Sequence, residues 1–257
     1  MFDGNRAAVV WYRNLVGSLD KNVIWNIVFV SVLFIFVVGY SFSALFHEQR
    51  ILVGDMYVTY PAYLVGGVIG IDSLEISAIA AAIIWDDIRN GMLEQILTMR
   101  IGRFYYTLGN ILTIITLGLI GGFITFLIGL PALNGYLQMN LIDTLLLITT
   151  LIASSAFYGS VLIIVSTIIK RRESFSVTYN SILTFAVASS AFYPTENVPT
   201  FLHYIFYINP MTYISDIVRA SLFSQINSDI LVYFIILLVL TFSALLLAVL
   251  RFRKVQF

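Results

Sequence analysis

Hydrophobic positions in this chain come in long unbroken blocks, not in the alternation of half-buried strands or the spaced stripes of surface helices. A helical apolar run of about 20 residues crosses the ~30 Å hydrocarbon core of a bilayer. Six blocks reach that length: residues 22–46, 56–84, 104–130, 141–169, 175–193 and 230–250. They predict an all-α integral membrane protein with six transmembrane helices, organised as one membrane domain over residues 1–257. Two further segments are apolar without being spans. In residues 1–21, Ala7, Val10, Trp11, Asn14, Leu15 and Ser18 recur at helical spacing beside Arg6 and Arg13. That mixture predicts a helix lying in the membrane interface; the alternative is a frayed basic leader, running back to Phe2, that only sets orientation. Residues 194–222 carry Pro194, Pro199 and Pro210 among aromatics such as Phe201, Tyr204, Phe206, Tyr207 and Tyr213. Proline removes an N–H and disfavours helix at the residue before it, so one continuous span is excluded. The segment is also too apolar for a solvated linker, and a re-entrant pair of helices on the external side fits it.

Composition agrees. Hydrophobic residues make up 60% of the chain and charged ones 11%, against roughly 25% in an ordinary soluble domain. The net charge of zero conceals a pattern. Arg6, Arg13 and Lys21 precede the first block, and Arg89, Arg100 and Arg103 separate the second from the third. Lys170, Arg171 and Arg172 separate the fourth from the fifth, and Arg251, Arg253 and Lys254 follow the sixth. Twelve of the 14 basic residues thus share one side. Only Arg50 and Arg219 fall on the other, with Glu48, Asp55, Asp143, Glu196, Asp216 and Asp229. The positive-inside rule places both termini in the cytoplasm and requires an even number of spans. The first block is too long for a signal-peptide core and should remain as a helix.

Between the second and third spans, Asp86 and Asp87 open a loop that Arg100 and Arg103 close, the order that suits a helix dipole. Ile88, Met92, Leu93, Ile96 and Leu97 recur at helical spacing and predict a short amphipathic helix. Its apolar face must cover lipid headgroups, neighbouring helix ends or a soluble partner. Asp72 and Glu75 are the carboxylates deep inside a predicted span, three residues apart on one helix face. Each costs roughly 2.5–3.5 kcal/mol at mid-bilayer, so neither should face lipid. Protonation, a water-filled cavity or hydroxyl partners must resolve them. The fifth block is polar for a span, with Thr178, Asn180, Ser181 and Thr184 among its residues, and polar side chains in membranes usually face other helices. Gly66-x3-Gly70 and Gly118-x3-Gly122 read as close-packing motifs.

Two of these segments carry a resemblance. Tyr193-Pro194-x4-Pro199-x9-Asn209-Pro210-Met211-Thr212-Tyr213-x5-Arg219 resembles the C-terminal signature of ABC-2 type exporter permeases, and Asp87-x3-Gly91-x2-Glu94-x2-Leu97 resembles their cytoplasmic coupling loop. The proline common after that leucine is replaced by Met99-Arg100, which bears on the exit angle of the loop. The resemblance implies a coupling helix that sits in a cleft of a separate ATPase subunit through Asp86, Asp87, Ile88, Gly91, Met92, Leu93, Glu94, Leu97 and Arg100. It implies a permease dimer with the fifth span on the transport path, which makes Thr178, Asn180, Ser181 and Thr184 path candidates; Asp72 and Glu75 join them on their own account, as a polar point within the second span. It makes Tyr193, Pro194, Pro199, Asn209, Pro210, Tyr213, Asp216 and Arg219 an external gate or seal, with Arg219 and Asp216 pairing on the outer surface. ATP and Mg would be bound by the partner subunit, with no cofactor in this chain.

Other chemistries lack support. No G-x4-G-K-[ST] is present, so the chain has no P-loop. His47 and His203 stand alone without a second ligand at metal spacing, and cysteine is absent. Basic clusters are short and beside spans, unlike a nucleic-acid footprint. The expected function is export of an amphipathic drug, lipid or lipid-linked glycan across the plasma membrane, with no catalytic site in this chain. The alternatives are an ion-coupled secondary transporter using Asp72 and Glu75, and a membrane anchor that transports nothing.

Overall fold

The computed structural model describes residues 5–45, 50–99, 101–195 and 198–253. Arg100 of the predicted loop helix, with Phe2, His47, Glu48, Glu196 and Lys254, lies outside the described residues. The chain is built of α1 (Asn5–Ser18), α2 (Lys21–Val32), a π-helical stretch (Leu33–Val38), α3 (Gly39–Leu45), α4 (Tyr60–Arg89), α5 (Met92–Thr98), α6 (Arg103–Gly129), α7 (Leu141–Ile168), α8 (Arg172–Val187), α9 (Thr200–Ile208), α10 (Pro210–Phe223) and α11 (Ser228–Arg253). Five helical runs are long and apolar enough to cross a membrane: Lys21–Ala44, α4, α6, α7 and α11.

The predicted second span does not start at Met56. Residues Ile51–Val53 and Met56–Val58 form an antiparallel hairpin, β1 and β2, turning through Gly54 at φ +60°. The helix begins only at Tyr60, with Pro61 in its first turn, where a missing N–H leaves no bond unmade. Helix α7 opens on a capping box, in which Asn140 and Asp143 satisfy each other's backbone N–H groups.

The fifth predicted block departs further. Helix α8 has 16 residues, about 24 Å at 1.5 Å per residue, short of a ~30 Å core. Its segment nevertheless touches α4 at both ends. Phe175 packs 6.3 Å from Trp85 near the C-terminus of α4, and the Ser190 carbonyl accepts 2.6 Å from the Tyr63 hydroxyl near its N-terminus. The helix stops at Val187 because the carbonyls of Phe185 and Ala188 bond to the side-chain amide of Asn209, not to a further helical turn (2.6 and 3.0 Å).

Helix α4 is the axis of the bundle, buried along most of its length between α6, α7 and α10. Both glycine motifs pack within the chain. Gly118 and Gly122 meet Ser155 and Leu151 of α7, and Gly70 lies against Met211 and Ser215 of α10. The outward faces of α2 and α11 are apolar and exposed, as lipid contact demands.

Candidate functional site

Three clusters hold the chemistry-bearing residues. The first lies at the cytoplasm-facing end expected from the basic residues. Asp86 and Asp87 do not open the loop helix; they sit in the last turn of α4, where the dipole disfavours acids. Asp87 is held there by specific partners. Its carboxylate pairs with Arg13 of α1 and accepts the Tyr106 hydroxyl of α6 at 2.6 Å. Asn14 reinforces the join through Asn110 at 2.8 Å, and Trp11 donates to Thr116 at 3.0 Å. Helix α1 is therefore docked on α6, presenting Val9, Tyr12 and Val16 outward. Asp87→Ala is expected to lower stability by about 2–3 kcal/mol, since the lost bonds are charge-assisted but Arg13 is partly exposed. A thermal shift and tryptic cleavage at Arg13 would report it; an unchanged melting point with Arg13 still protected would show that α1 does not depend on the pair.

After Arg89 the chain turns at Asn90 and Gly91, the latter left-handed at φ +72°, a conformation that favours glycine. The loop helix is shorter than expected, the seven residues of α5. Leu93 and Ile96 are buried against Val10, Ile84, Tyr106 and Phe252, while Ile88 and Leu97 pack at the margin. Of the three coverings left open for its apolar face, neighbouring helix ends take the inner half. Met92, Glu94, Gln95 and Met99 point away and are exposed. Among the described residues no hydrogen bond or ion pair reaches the Glu94 side chain.

The second cluster is in the spans. Asp72 is 1% exposed and takes a hydrogen bond from Thr125 of α6, whose hydroxyl also meets Ser31 of α2 at 2.9 Å. Hydroxyl partners thus engage one of its oxygens, while Oδ1 finds no partner. Glu75 follows three residues later on the same helix. Its carboxylate opens into a cavity of about 290 Å³ between α2, α4 and α8, lined by Asn26, Trp85, Asp86, Phe175 and Tyr179. The other flank of α8 forms an open groove with Asn180, Ser181, Thr184 and Ile205 of α9. The hydroxyls of Thr178, Ser181 and Thr184 bond to carbonyls one turn back, so they are satisfied within the helix. The Asn180 side chain makes no such bond among the described residues, and its exposed amide is the most polar point of this face.

The third cluster is at the opposite end. Arg219 pairs with Asp216 as expected, but deep in the protein and not on the outer surface: it is 1% exposed. Its guanidinium donates to the carbonyls of Tyr63 (3.0 Å), Ser190 (2.7 Å) and Ala191 (2.8 Å) and to Asp216 Oδ1 (2.8 Å), and it stacks 3.6 Å from the Tyr63 ring centroid. One side chain thereby ties α4, the turn after α8 and α10. Two glycines make room for it. A Cβ on Gly66 would lie 2.5 Å from Arg219 Cγ, and one on Gly67 would collide with the Ala191 carbonyl. Asn209 works beside it, accepting from the Met211 N–H at 3.0 Å to cap α10 while its amide closes α8. Pro199 stands at the N-cap of α9 and Pro210 in the first turn of α10, both places where proline is tolerated. Tyr193 is exposed, Pro194 lines a cavity at this end, and Tyr213 donates to the Tyr207 carbonyl.

The signature segment is therefore two short helices hinged at Asn209-Pro210 and pinned to α4 by a buried arginine. The family model described as ABC-2 type transporter matches residues 7–223, from α1 to the end of α10. The chain belongs to the ABC-2 type transporter family. No individual curated protein matches it. ABC-2 membrane domains are permease components of ABC transporters and carry no catalytic activity, and the apolar helices make this one a multi-pass membrane protein. The match confirms the resemblance drawn from the two motifs. Sequence reasoning on this ABC-2 permease marked Gly66 for close packing but did not join it, Gly67, Tyr63 or Ser190 to Arg219, nor Tyr106 to Asp87. The adjacent glycines were the available signal, since they mark close approach by something, though not by an arginine.

Proposed function

We propose that this ABC-2 permease is the membrane half of an exporter driven by a separate ATPase subunit that docks on the outer edge of α5. The observation that carries this reading is the two-sided α5. Leu93 and Ile96 root it in the ends of α4, α6 and α11, while Met92, Glu94, Gln95 and Met99 stand free for a partner. A push on that edge passes through Leu93 to α4 and through the Arg13–Asp87–Tyr106 contact to α1 and α6. Orientation follows the charge pattern, with both termini cytoplasmic in the plasma membrane and the Arg219 cluster outside.

Two copies face each other across the exposed flank of α8, because lipid is a poor partner for the Asn180 amide. The path runs between them past the Glu75 cavity. Trp85, Phe175 and Tyr179 give that cavity an aromatic wall beside the charged groups of Glu75, Asp86 and Arg172, suited to amphipathic cargo. An ion relay through both carboxylates is less well supported, since Asp72 is closed in by Thr125 and Ser31 while Glu75 opens elsewhere.

The test is a photo-cross-linker placed at Glu94 in membranes of cells that express the chain, with Leu93 as the buried control. A nucleotide-binding protein captured from position 94 and not from 93 is the expected result. Capture of lipid alone at both positions would remove the basis for ATP-driven coupling.

A further inference from the structure

The face opposite α5 contains two cavities, of about 300 and 210 Å³, that belong neither to the α8 flank nor to the Glu75 cavity. They meet at Asp216 and Tyr233, which line both. The larger is walled by rings: His203, Phe206 and Tyr207 of α9, Tyr213 of α10 and Tyr233 of α11. Tyr213 and Tyr233 stand edge to face, 5.1 Å between centroids, and fix one corner. Asp216 supplies the charge. Its Oδ1 is taken by Arg219 and Ser190, whereas Oδ2 receives no hydrogen bond from a described residue, and the side chain is 24% exposed. Asp229, exposed in the first turn of α11, lines the adjoining cavity.

The balance of charge there is negative. Arg219 lines the smaller cavity, but its guanidinium is committed to three carbonyls and Asp216, and the residue is 1% exposed. Asp216 and Asp229 together outweigh that single cation, so the space between the helices attracts positive charge. The chemistry selects the kind of cation. A hard metal ion wants six or more oxygen ligands, and among the described residues no group of three His, Cys, Asp or Glu could hold one. Aromatic faces around one free carboxylate oxygen suit a large, weakly hydrated cation, which gains from ring faces what it loses in water contacts.

We propose that the aromatic cavity between α9, α10 and α11 binds a substituted ammonium group. The site is separate from the α8 flank proposed for transport and stands whether or not that assignment holds. Occupancy would brace α9 and α10 against α11, across the hinge at Asn209-Pro210. The same chemistry is offered by a free organic cation and by an ethanolamine or choline lipid headgroup.

The experiment compares choline with 3,3-dimethyl-1-butanol, its uncharged carbon isostere, by calorimetry on the full chain in a maltoside detergent. Choline is expected to bind at least about tenfold more tightly than the isostere, the ratio that a desolvated cation–π contact supports. Tyr233→Leu should erase the difference, and Asp229→Asn, at an exposed position that holds no part of the Arg219 cluster, should weaken choline about threefold through lost charge alone. Equal affinity for the two probes, no choline binding, or unchanged binding in both variants would overturn the proposal. In nanodiscs, weaker choline binding with phosphatidylethanolamine than with phosphatidylglycerol alone would assign the site to a lipid headgroup. Equal binding in the two lipids would assign it to a soluble cation.

Discussion

Arg219→Met is expected to lower stability by about 3–5 kcal/mol, the usual result of stripping one member from a buried ion pair, and to end export with it. The methionine fills most of the arginine's stem but donates nothing. Asp216 is left as an uncompensated carboxylate, the carbonyls of Tyr63 and Ala191 lose the guanidinium, and that of Ser190 keeps only the Tyr63 hydroxyl. Those carbonyls lie on α4 and on the turn after α8, and Asp216 lies on α10, so the loss frees the turn and α10 from α4 together. Arg219→Lys should fare little better, because an ammonium cannot present the planar fork that reaches Asp216 and two carbonyls at once. In detergent the melting point should fall by roughly 10 °C. Gly66→Ala is the independent check, since its methyl would sit 2.5 Å from the arginine stem and must displace it. A melting point within a degree or two of the parent for both variants would mean that the junction is held by apolar packing instead.

That junction also shows what the sequence could and could not tell. Block length and the basic residues carry information through one dimension, so long spans, their order and the segment broken by prolines were legible directly. The family match over residues 7–223 bears out the resemblance read from the two motifs. The hairpin at Ile51–Val58 was not legible, because Met56–Val58 continues the apolar run into α4 and only the Gly54 turn betrays it. The end of α8 was hidden for a different reason. Its terminating partner, Asn209, lies 24 residues beyond Phe185, and no local pattern announces a long-range cap. Arg219 was read as a surface partner of Asp216 because i, i+3 spacing gives a pair but no depth; burial depends on α4, which is far away in the chain. Asp86 and Asp87 misled in the same way. Acids before an amphipathic stretch look like a helix start, yet the chain spends Asp87 on Arg13 and Tyr106, contacts made across α1 and α6.

Glu94→Arg is expected to abolish partner-stimulated transport, by about a hundredfold or more, while leaving the melting point unchanged. The two halves of that statement come from opposite faces of α5. Glu94 is exposed and bonds to no described residue, so within the chain its replacement removes nothing, and surface changes of this kind typically cost under about 0.5 kcal/mol. At a docking surface the same change reverses one charge at the centre of the presented edge, between Met92 and Met99. Breaking a desolvated charge contact and adding repulsion in its place costs several kcal/mol, and every 1.4 kcal/mol is tenfold in association. Leu93→Ala is the mirror experiment. Its side chain is wholly buried among Val10, Ile84 and Tyr106, so truncation should lower stability by about 2–5 kcal/mol and affect coupling only through the fold. ATP-driven transport in vesicles, set beside thermal melts of both variants, separates the cases. Full transport by Glu94→Arg would move the docking surface away from α5, and a collapsed melting point would mean that the exposed edge has a structural partner within the permease itself.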